Sequence, residues 1–384
     1  IFKQEEFIKQ IEGSMSKVKK KKLANKFDTD VVSNSVVSKY GDVVSTGTEV
    51  LGTINSLEVI GVSPALDIAL GGGLREGSVV VMTGDPKSGK TTTALHFAAK
   101  CQAKGKRVIY LNTEGRLSKQ NFDGIKGLDP DGILIVQSTD DKILSAEDFL
   151  NIVEYYINND PGCLVITDSL SNMVPQVELD GEVRTGVRNA LPRLLSMFFK
   201  RISGTLMKNK TILVCITHNI ANTGGSPYAP AKMADCGNML QYQAGTNMVI
   251  THRGRWQVPK DTGPHVGQIA NWNIKTSCAG GIPNSTAESW IRYGIGLDET
   301  QEVVQIACEF RLIKTAGAWY TIQCAIDDLD NPVVKKMLSD NDVGDKPDDI
   351  ERFFKFQGAN NTLEFLNSNP DMSAFIYDKI KELF

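Results

Sequence analysis

Nothing in this sequence marks a membrane span or a secretory leader. No apolar run approaches the length needed to cross a bilayer, and the first residues lack the build of a signal peptide. The chain starts at Ile1, so a trimmed native start is expected. The seven cysteines (Cys101, Cys163, Cys215, Cys236, Cys278, Cys308, Cys324) are scattered and form no C-x-x-C pair. A zinc site is therefore not expected, and the thiols read as those of a reduced, intracellular protein. Net charge is also scarce, at −3 over 384 residues. That excludes a global basic field, so any nucleic-acid site must be local. No internal repeat or low-complexity tract occurs. What remains is a chain 41% hydrophobic and 23% charged, ample for one large core with smaller lobes.

The most informative stretch runs from Ser78 to Thr92. Val79-Val80-Val81-Met82-Thr83 reads as a buried strand, followed by a tight loop and the start of a helix. Gly84, Asp85, Pro86, Lys87, Ser88, Gly89, Lys90 and Thr91 fit G-x-x-x-x-G-K-[ST] without a gap. In that pattern backbone N–H groups cradle phosphate oxygens, and glycine permits the close approach. Lys90 places a cation on the β- and γ-phosphates, and the Thr91 hydroxyl is a ligand for the accompanying Mg²⁺. The helix beginning near Thr92 turns its N-terminal dipole toward the anion.

Around this stretch, apolar runs alternate with helical patterns from residue 79 to about 251. Candidate strands are Val79–Thr83, Arg107–Asn112, Ile133–Gln137, Cys163–Thr167, Thr211–Thr217 and Met248–Thr251. Their near-continuous Val and Ile content predicts an α/β fold with a mostly parallel sheet covered on both faces. Helices are expected near 91–104, 145–159 and 186–208, giving the βαβ rhythm. Residues 31–60, rich in Val, Ser, Thr and Gly, read as short strands or an extended linker, and Gly61–Leu74 as a short helix ended by glycines. Strand-like segments follow at about 266–276, 287–293 and 305–321. Short helices are expected at Val333–Leu338, Asp348–Phe354, Thr362–Leu366 and Met372–Phe384, with Asp340–Asp349 as an acidic surface linker. At the start, Phe7, Ile8, Ile11 and Met15 share a helix face ahead of a lysine run. That run is a solvated arm, a docking helix for a neighbouring subunit, or a DNA-attracting arm.

Four elements should converge at the C-terminal edge of such a sheet, where open α/β sheets bind ligands. Beyond the phosphate loop, Cys163–Thr167 ends in Asp168, a carboxylate that can hold Mg²⁺ through water and orient Thr91. Glu114 follows the strand Arg107–Asn112 and can polarise a water for attack on a γ-phosphate; the alternative is a solvated loop glutamate. His218, at the end of Thr211–Thr217, can sense the γ-phosphate and pass its state onward, or serve as an ordinary structural histidine. Two loops follow: Val177–Val183 is short and acidic, and Ala221–Met239 is long and glycine-rich.

These segments together resemble the RecA family of DNA recombinases. Pro64–Gly71 resembles the family's approach to the phosphate loop. Gly84–Thr92 matches GPxSSGKTT except at Asp85 and Lys87, and Thr113-Glu114 matches the catalytic-glutamate segment. Asp168-Ser169-Leu170 and Pro175 resemble the second nucleotide motif, and Val177–Val183 falls on the first DNA loop. Gly237–Tyr242 resembles the end of the second loop, Lys314–Tyr320 the KAGAWY segment, and Asn361–Pro370 the start of the C-terminal lobe. The resemblance covers about residues 40–322 and 355–384.

It implies a RecA-type phosphate-loop ATPase core with three parts: an N-terminal oligomerisation arm and linker (1–45), the core with its DNA loops (46–322), and a small C-terminal lobe with an insertion (323–384). Implied cofactors are ATP and Mg²⁺. Implied partners are single- and double-stranded DNA, further copies of the chain in a helical filament, and mediator and single-strand-binding proteins; no membrane is involved. The setting is cytoplasmic, in a bacterial or phage-infected cell. The implied activity is DNA-dependent ATP hydrolysis driving homologous pairing and strand exchange. By position, Lys90, Glu114 and His218 are catalytic, Thr91 and Asp168 serve the metal, and Gly84–Thr92, Asp168, Phe122 (near the adenine) and Lys275 (toward the neighbouring protomer's phosphates) bind nucleotide. Val177, Glu178, Leu179, Asp180, Gly181, Asn219, Gly224, Gly225, Gly237, Asn238 and Tyr242 are expected to touch DNA. The chain departs from bacterial members at His218, where they carry Gln, and at Ser277, where they carry a second Lys. This divergence resembles phage-encoded recombinases of the UvsX kind. On the same core, a ring-shaped helicase, a small-molecule kinase and a non-hydrolysing paralogue are the alternatives.

Overall fold

The computed structural model describes residues 36–40, 45–180, 190–221, 232–234, 236, 238–258 and 262–384. The proposed arm at residues 1–30 lies outside these. The chain divides into two compact units, residues 1–57 and 58–384.

In the first unit, helix α1 (Gly47–Asn55) occupies part of the stretch read from sequence as strands or linker. The correction has a local cause. Thr46 Oγ1 accepts from Glu49 N while Glu49 Oε2 accepts from Thr46 N, a capping box that starts a helix despite a β-favouring composition.

In the second unit β1 (Val59–Ile60) and β2 (Leu74–Arg75) form a small antiparallel pair, and the main sheet has ten strands in the order β12-β11-β10-β9-β3-β7-β6-β4-β5, with β8 (Lys232–Ala234) added to β7. Strands β9 (Thr246–Gln257), β3 (Ser78–Gly84), β7 (Ile212–Ala221), β6 (Leu164–Asp168), β4 (Val108–Asn112) and β5 (Ile133–Val136) run parallel. Beyond β9, strands β10 (His265–Thr276), β11 (Ser285–Arg292) and β12 (Gly296–Leu297) continue it as an antiparallel flank. Side chains of β3 alternate between two cores. Val80 and Met82 join Leu95, Phe97 and Tyr110 on one face. Val79 and Val81 join helices α5 (Ala146–Asn159) and α7 (Ala190–Lys208) on the other. Burial on both faces is why the strands read as unbroken apolar runs.

The segment 305–321, expected to be strand, begins instead inside helix α9 (Glu299–Glu309), and only Ile313–Ala316 (β13) and Trp319–Ile322 (β14) are extended. Asp298 caps that helix by accepting from Gln301 N at 3.0 Å, and Val303, Val304 and Ala307 fall on one buried face. A short apolar run does not by itself separate strand from helix. These side chains enter a third core with Ile322, Phe354, Leu366, Phe375 and Ile376. The wholly buried Glu302 of α9 accepts from Ala65 N at 3.0 Å. This joins α9 to the start of α2 (Pro64–Leu70), and burial pushes the carboxyl up to about 8.

Register is what makes a site. In the parallel pairs Gly84 lies opposite His218, Thr83 opposite Thr217, and Asn112 opposite Asp168. The chemistry-bearing ends of four strands therefore reach one edge at one level.

Candidate active site

The phosphate loop leaves β3 at Gly84 and enters helix α3 (Lys90–Ala103) at Gly89. Gly89 has φ 109°, and a Cβ there would lie 2.3 Å from Ile291 Cδ1; at Gly84 it would lie 2.6 Å from Ile250 O. Side chains at either position would push the loop off its neighbours. Gly89→Ala should weaken nucleotide binding about tenfold, because the left-handed conformation costs a Cβ residue about 1–2 kcal/mol. Titration with a fluorescent ADP analogue checks this, and unchanged affinity would mean that the loop tolerates a side chain.

Lys90 is almost wholly buried. Its ammonium donates to Gly84 O and Asp85 O, both at 2.9 Å, so it is held across the loop. Burial draws its pKa below the ordinary lysine value, against the pull of Asp168, Glu114 and Asp85. Thr91 Oγ1 donates to Asp168 Oδ2 at 2.6 Å. Asp168 ends β6 and is itself buried, which raises its pKa although Thr91 and Tyr110 donate to it.

Glu114 sits just past β4. Burial raises its pKa, but donors from His218 and Ser169 and the charge of Arg116 outweigh it, and the net shift is downward. Ser169 Oγ donates to Oε1 at 3.0 Å, and Arg116 Nη1 stands 3.3 Å from Oε2. An ionised carboxylate can only accept, so the proton of this pair sits on His218 Nε2, which donates to the same Oε1 at 2.5 Å. The His218 backbone N–H donates to Ser171 Oγ at 3.1 Å, and that hydroxyl lies 3.7 Å from Cys236 Sγ. The side-chain amide of Asn219, one residue on, donates to Asp85 Oδ1 at 3.5 Å. Thr83 and Thr217 share a hydrogen bond of 2.8 Å that ties β3 to β7.

Of these groups Lys90, Thr91, Tyr110, Glu114, Arg116, Asp168 and His218 line one cleft of about 1340 Å³. It brings together Pro86–Thr92, Glu114, Asp168 and His218, as the sequence reading expected. Phe122, on the short helix α4 (Lys119–Asp123), is not among the lining residues and packs instead against the first core. The exposed aromatic at the cleft is Tyr293, just past β11. Lys275 is exposed on β10 and does not line the cleft. Of the expected DNA contacts, Val177, Glu178 and Leu179 form the short helix α6 (Gln176–Leu179), exposed with Asp180. Asn238 begins helix α8 (Asn238–Gln243), and Tyr242 projects from it, 80% exposed. Gly181, Gly224, Gly225 and Gly237 lie outside the described residues. A second cavity of about 470 Å³ has Thr113 and Glu178 among its lining residues, so it links the Glu114 segment to α6.

Sequence reasoning missed Tyr110, Ser169, Ser171, Arg116 and Tyr293. Tyr110 is hidden in an apolar strand, Ser169 enters the sequence reading only as the neighbour of Asp168 in the second nucleotide motif, and Ser171 carries no motif of its own. Tyr293 lies just over 200 positions beyond the phosphate loop, where no spacing rule reaches.

The cleft's donor set fits a nucleotide–magnesium complex. Thr91 and Asp168 supply hard oxygen atoms side by side. Among the described residues no group of three or more His, Cys, Asp or Glu could hold a metal. Mg²⁺ characteristically takes one or two protein oxygens, with phosphates and water completing its shell.

A buried strand, glycine-bounded loop and helix N-terminus, with a carboxylate at the end of a neighbouring parallel strand, define the class: a phosphate-loop nucleotide-binding α/β protein. The particular family follows from comparison. The RecA N-terminal domain model matches residues 10–298. Protein RecA of Lactiplantibacillus pentosus is 27% identical over 349 residues, 91% of this chain and 80% of its own. Protein RecA of Nocardioides sp. is 29% identical over 345 residues, 89% and 86% of the two chains. That of Frankia casuarinae is 28% identical over 322 residues, 83% and 82%. The chain belongs to the RecA family and is a RecA-type recombinase, strand exchange being the family's function. Members of this family are DNA-dependent ATPases. No helix among the described residues is long and apolar enough to cross a membrane.

Proposed function

We propose that this chain binds ATP in the Gly84–Thr91 cleft and hydrolyses it when assembled as a filament on single-stranded DNA, which it then pairs with homologous duplex. The observation that carries the reading is the meeting of Lys90, Thr91, Asp168, Glu114 and His218 in one cleft.

Lys90 holds the loop carbonyls and meets the β- and γ-phosphates. Thr91 and Asp168 would hold Mg²⁺, which when bound offsets phosphate charge. Glu114, kept ionised, accepts a proton from the attacking water. His218 Nε2–H is a donor already positioned beside that carboxylate, and moving it to a γ-phosphate oxygen frees Glu114 to act. Because Ser171 bonds the His218 backbone and lies against Cys236, a shift of this strand end is felt at the second loop. This supports His218 in the place where bacterial members carry Gln, since imidazole N–H can serve the same oxygen.

Tyr293 is the exposed ring for stacking the base, and Lys275 serves a neighbouring protomer's phosphates. Val177–Gly181, Asn219, Gly224, Gly225, Gly237, Asn238 and Tyr242 are proposed to contact DNA. Backbone N–H groups supply phosphate contacts where basic residues are few, and base selectivity is low. The N-terminal arm serves filament assembly, and mediator and single-strand-binding proteins act on the filament.

The test is ATP hydrolysis in Mg²⁺ with and without single-stranded DNA, followed by strand exchange. Stimulation by DNA together with exchanged product is the expected result. Stimulation with unwinding of a forked duplex and no exchange would make this a motor, and hydrolysis indifferent to DNA would remove the recombinase reading.

A further inference from the structure

The sequence gives Tyr110 no role, yet it reaches the centre of the site. It lies on β4, one strand from Asp168, with only 1% of its surface exposed. Its ring belongs to the first core, packed among residues such as Leu95 and Phe97, so neighbours fix its position. Its hydroxyl donates to Asp168 Oδ2 at 2.6 Å. Thr91 Oγ1 donates to the same oxygen, also at 2.6 Å. Among the described residues, Asp168 Oδ1 has no protein hydrogen bond. The Asp168 backbone is fixed as well, its carbonyl accepting from Thr113 N at 3.0 Å and Glu114 N at 3.4 Å.

We infer that Tyr110 is a positioning residue for magnesium, its buried phenol anchoring Asp168 through Oδ2 so that Oδ1 is presented to the metal's shell. The inference rests on the nucleotide reading above. A carboxylate has a broad terminal torsion, and a donor from a packed ring narrows it. The Thr91 hydroxyl cannot do this alone, because it belongs to the phosphate loop and would itself be a ligand of the metal. Tyr110 belongs to the sheet and keeps its place whatever the loop does. The arrangement has the logic of partners that orient metal-bearing carboxylates, whose loss costs roughly 10–100-fold in metal affinity.

The experiment titrates MgCl₂ into full-length protein with a fluorescent ADP analogue, for wild type, Tyr110→Phe and Tyr110→Met, with EDTA as the metal-free arm and thermal melting as the check of folding. Tyr110→Phe should raise the Mg²⁺ midpoint about tenfold while leaving affinity in EDTA unchanged. Tyr110→Met, which also lacks the hydroxyl, should do the same. In an Asp168→Ala background Tyr110→Phe should move the midpoint no further. An unchanged midpoint overturns the inference. So does an equal loss of affinity in EDTA and in Mg²⁺, which would mark Tyr110 as a packing residue only. If wild type binds the analogue under neither condition, the nucleotide reading itself falls, and the inference with it. If wild type shows magnesium-dependent binding that the Tyr110 variants leave untouched, only the inference falls.

Discussion

Lys90→Ala should abolish nucleotide-dependent filament growth and weaken ATP binding by about a thousandfold. The magnitude comes from the bonds at stake. A buried ammonium meeting two phosphate oxygens makes charge-assisted hydrogen bonds of about 2 kcal/mol each, and about 4 kcal/mol is three orders of magnitude in affinity. The variant also strips Gly84 O and Asp85 O of their shared donor, so the loop loses its brace as well as its cation. Helix α3 should persist, since alanine is the best helix former and the helix is anchored by Leu95, Phe97 and Ala98 in the first core. Circular dichroism should therefore be unchanged. Electron microscopy with ATP and single-stranded DNA is the direct readout, and unchanged filaments would sink the assignment of Lys90.

Glu114→Gln should separate binding from chemistry. Glutamine keeps the shape and can still accept from Ser169 and His218, so the affinity for ATP should stay within a few-fold. It cannot take a proton, so hydrolysis on DNA should fall by roughly 10²–10⁴-fold, the usual worth of a general base. Filaments formed with ATP should consequently last longer, because the hydrolytic step that would discharge them is slow. Single-turnover hydrolysis beside equilibrium binding makes the distinction. A wild-type rate in this variant would move water activation to another group. A parallel loss of binding and rate would instead mean that the Glu114–His218–Ser169 cluster mainly shapes the cleft.

The two variants probe different links of one chain of contacts. In the proposed mechanism Lys90 acts at the phosphates through the loop it braces. In the same proposal Glu114 acts at the attacking water, while its Oε1 is already engaged by Ser169 and His218. On that proposal the base becomes available only as its donors let go, and His218 is the donor whose strand continues toward Asn219 and β8. Coupling of nucleotide state to the loops then needs no long-range wire, only a histidine with two alternative acceptors.

Much of this protein was legible in the sequence because much of it is local. The phosphate loop is a run of consecutive residues whose glycines are required by a positive φ and by contact with Ile250 and Ile291. The parallel strands announced themselves because burial on both faces demands continuous Val and Ile. Asp168, Glu114 and His218 were readable because each closes or follows an apolar run, although β7 itself continues through His218 to Ala221, and the edge where such runs end is where this class of sheet binds ligands. Tertiary structure alone decided which ends meet. The Thr91–Asp168, Tyr110–Asp168 and Glu114–His218 bonds join residues 77, 58 and 104 positions apart, and they exist because strand order places β3 beside β7 and β6 beside β4. Composition could not foresee Tyr293 rather than Phe122 at the cleft, since facing a cavity or a core depends on the turn of a single helix or strand. It also misjudged α1, where a two-residue cap outweighed β propensity, and the start of the 305–321 segment, where packing against a third core selected helix. Local pattern fixes elements and motifs, whereas side-chain partners far apart in sequence are fixed only by the register and order of the sheet that carries them.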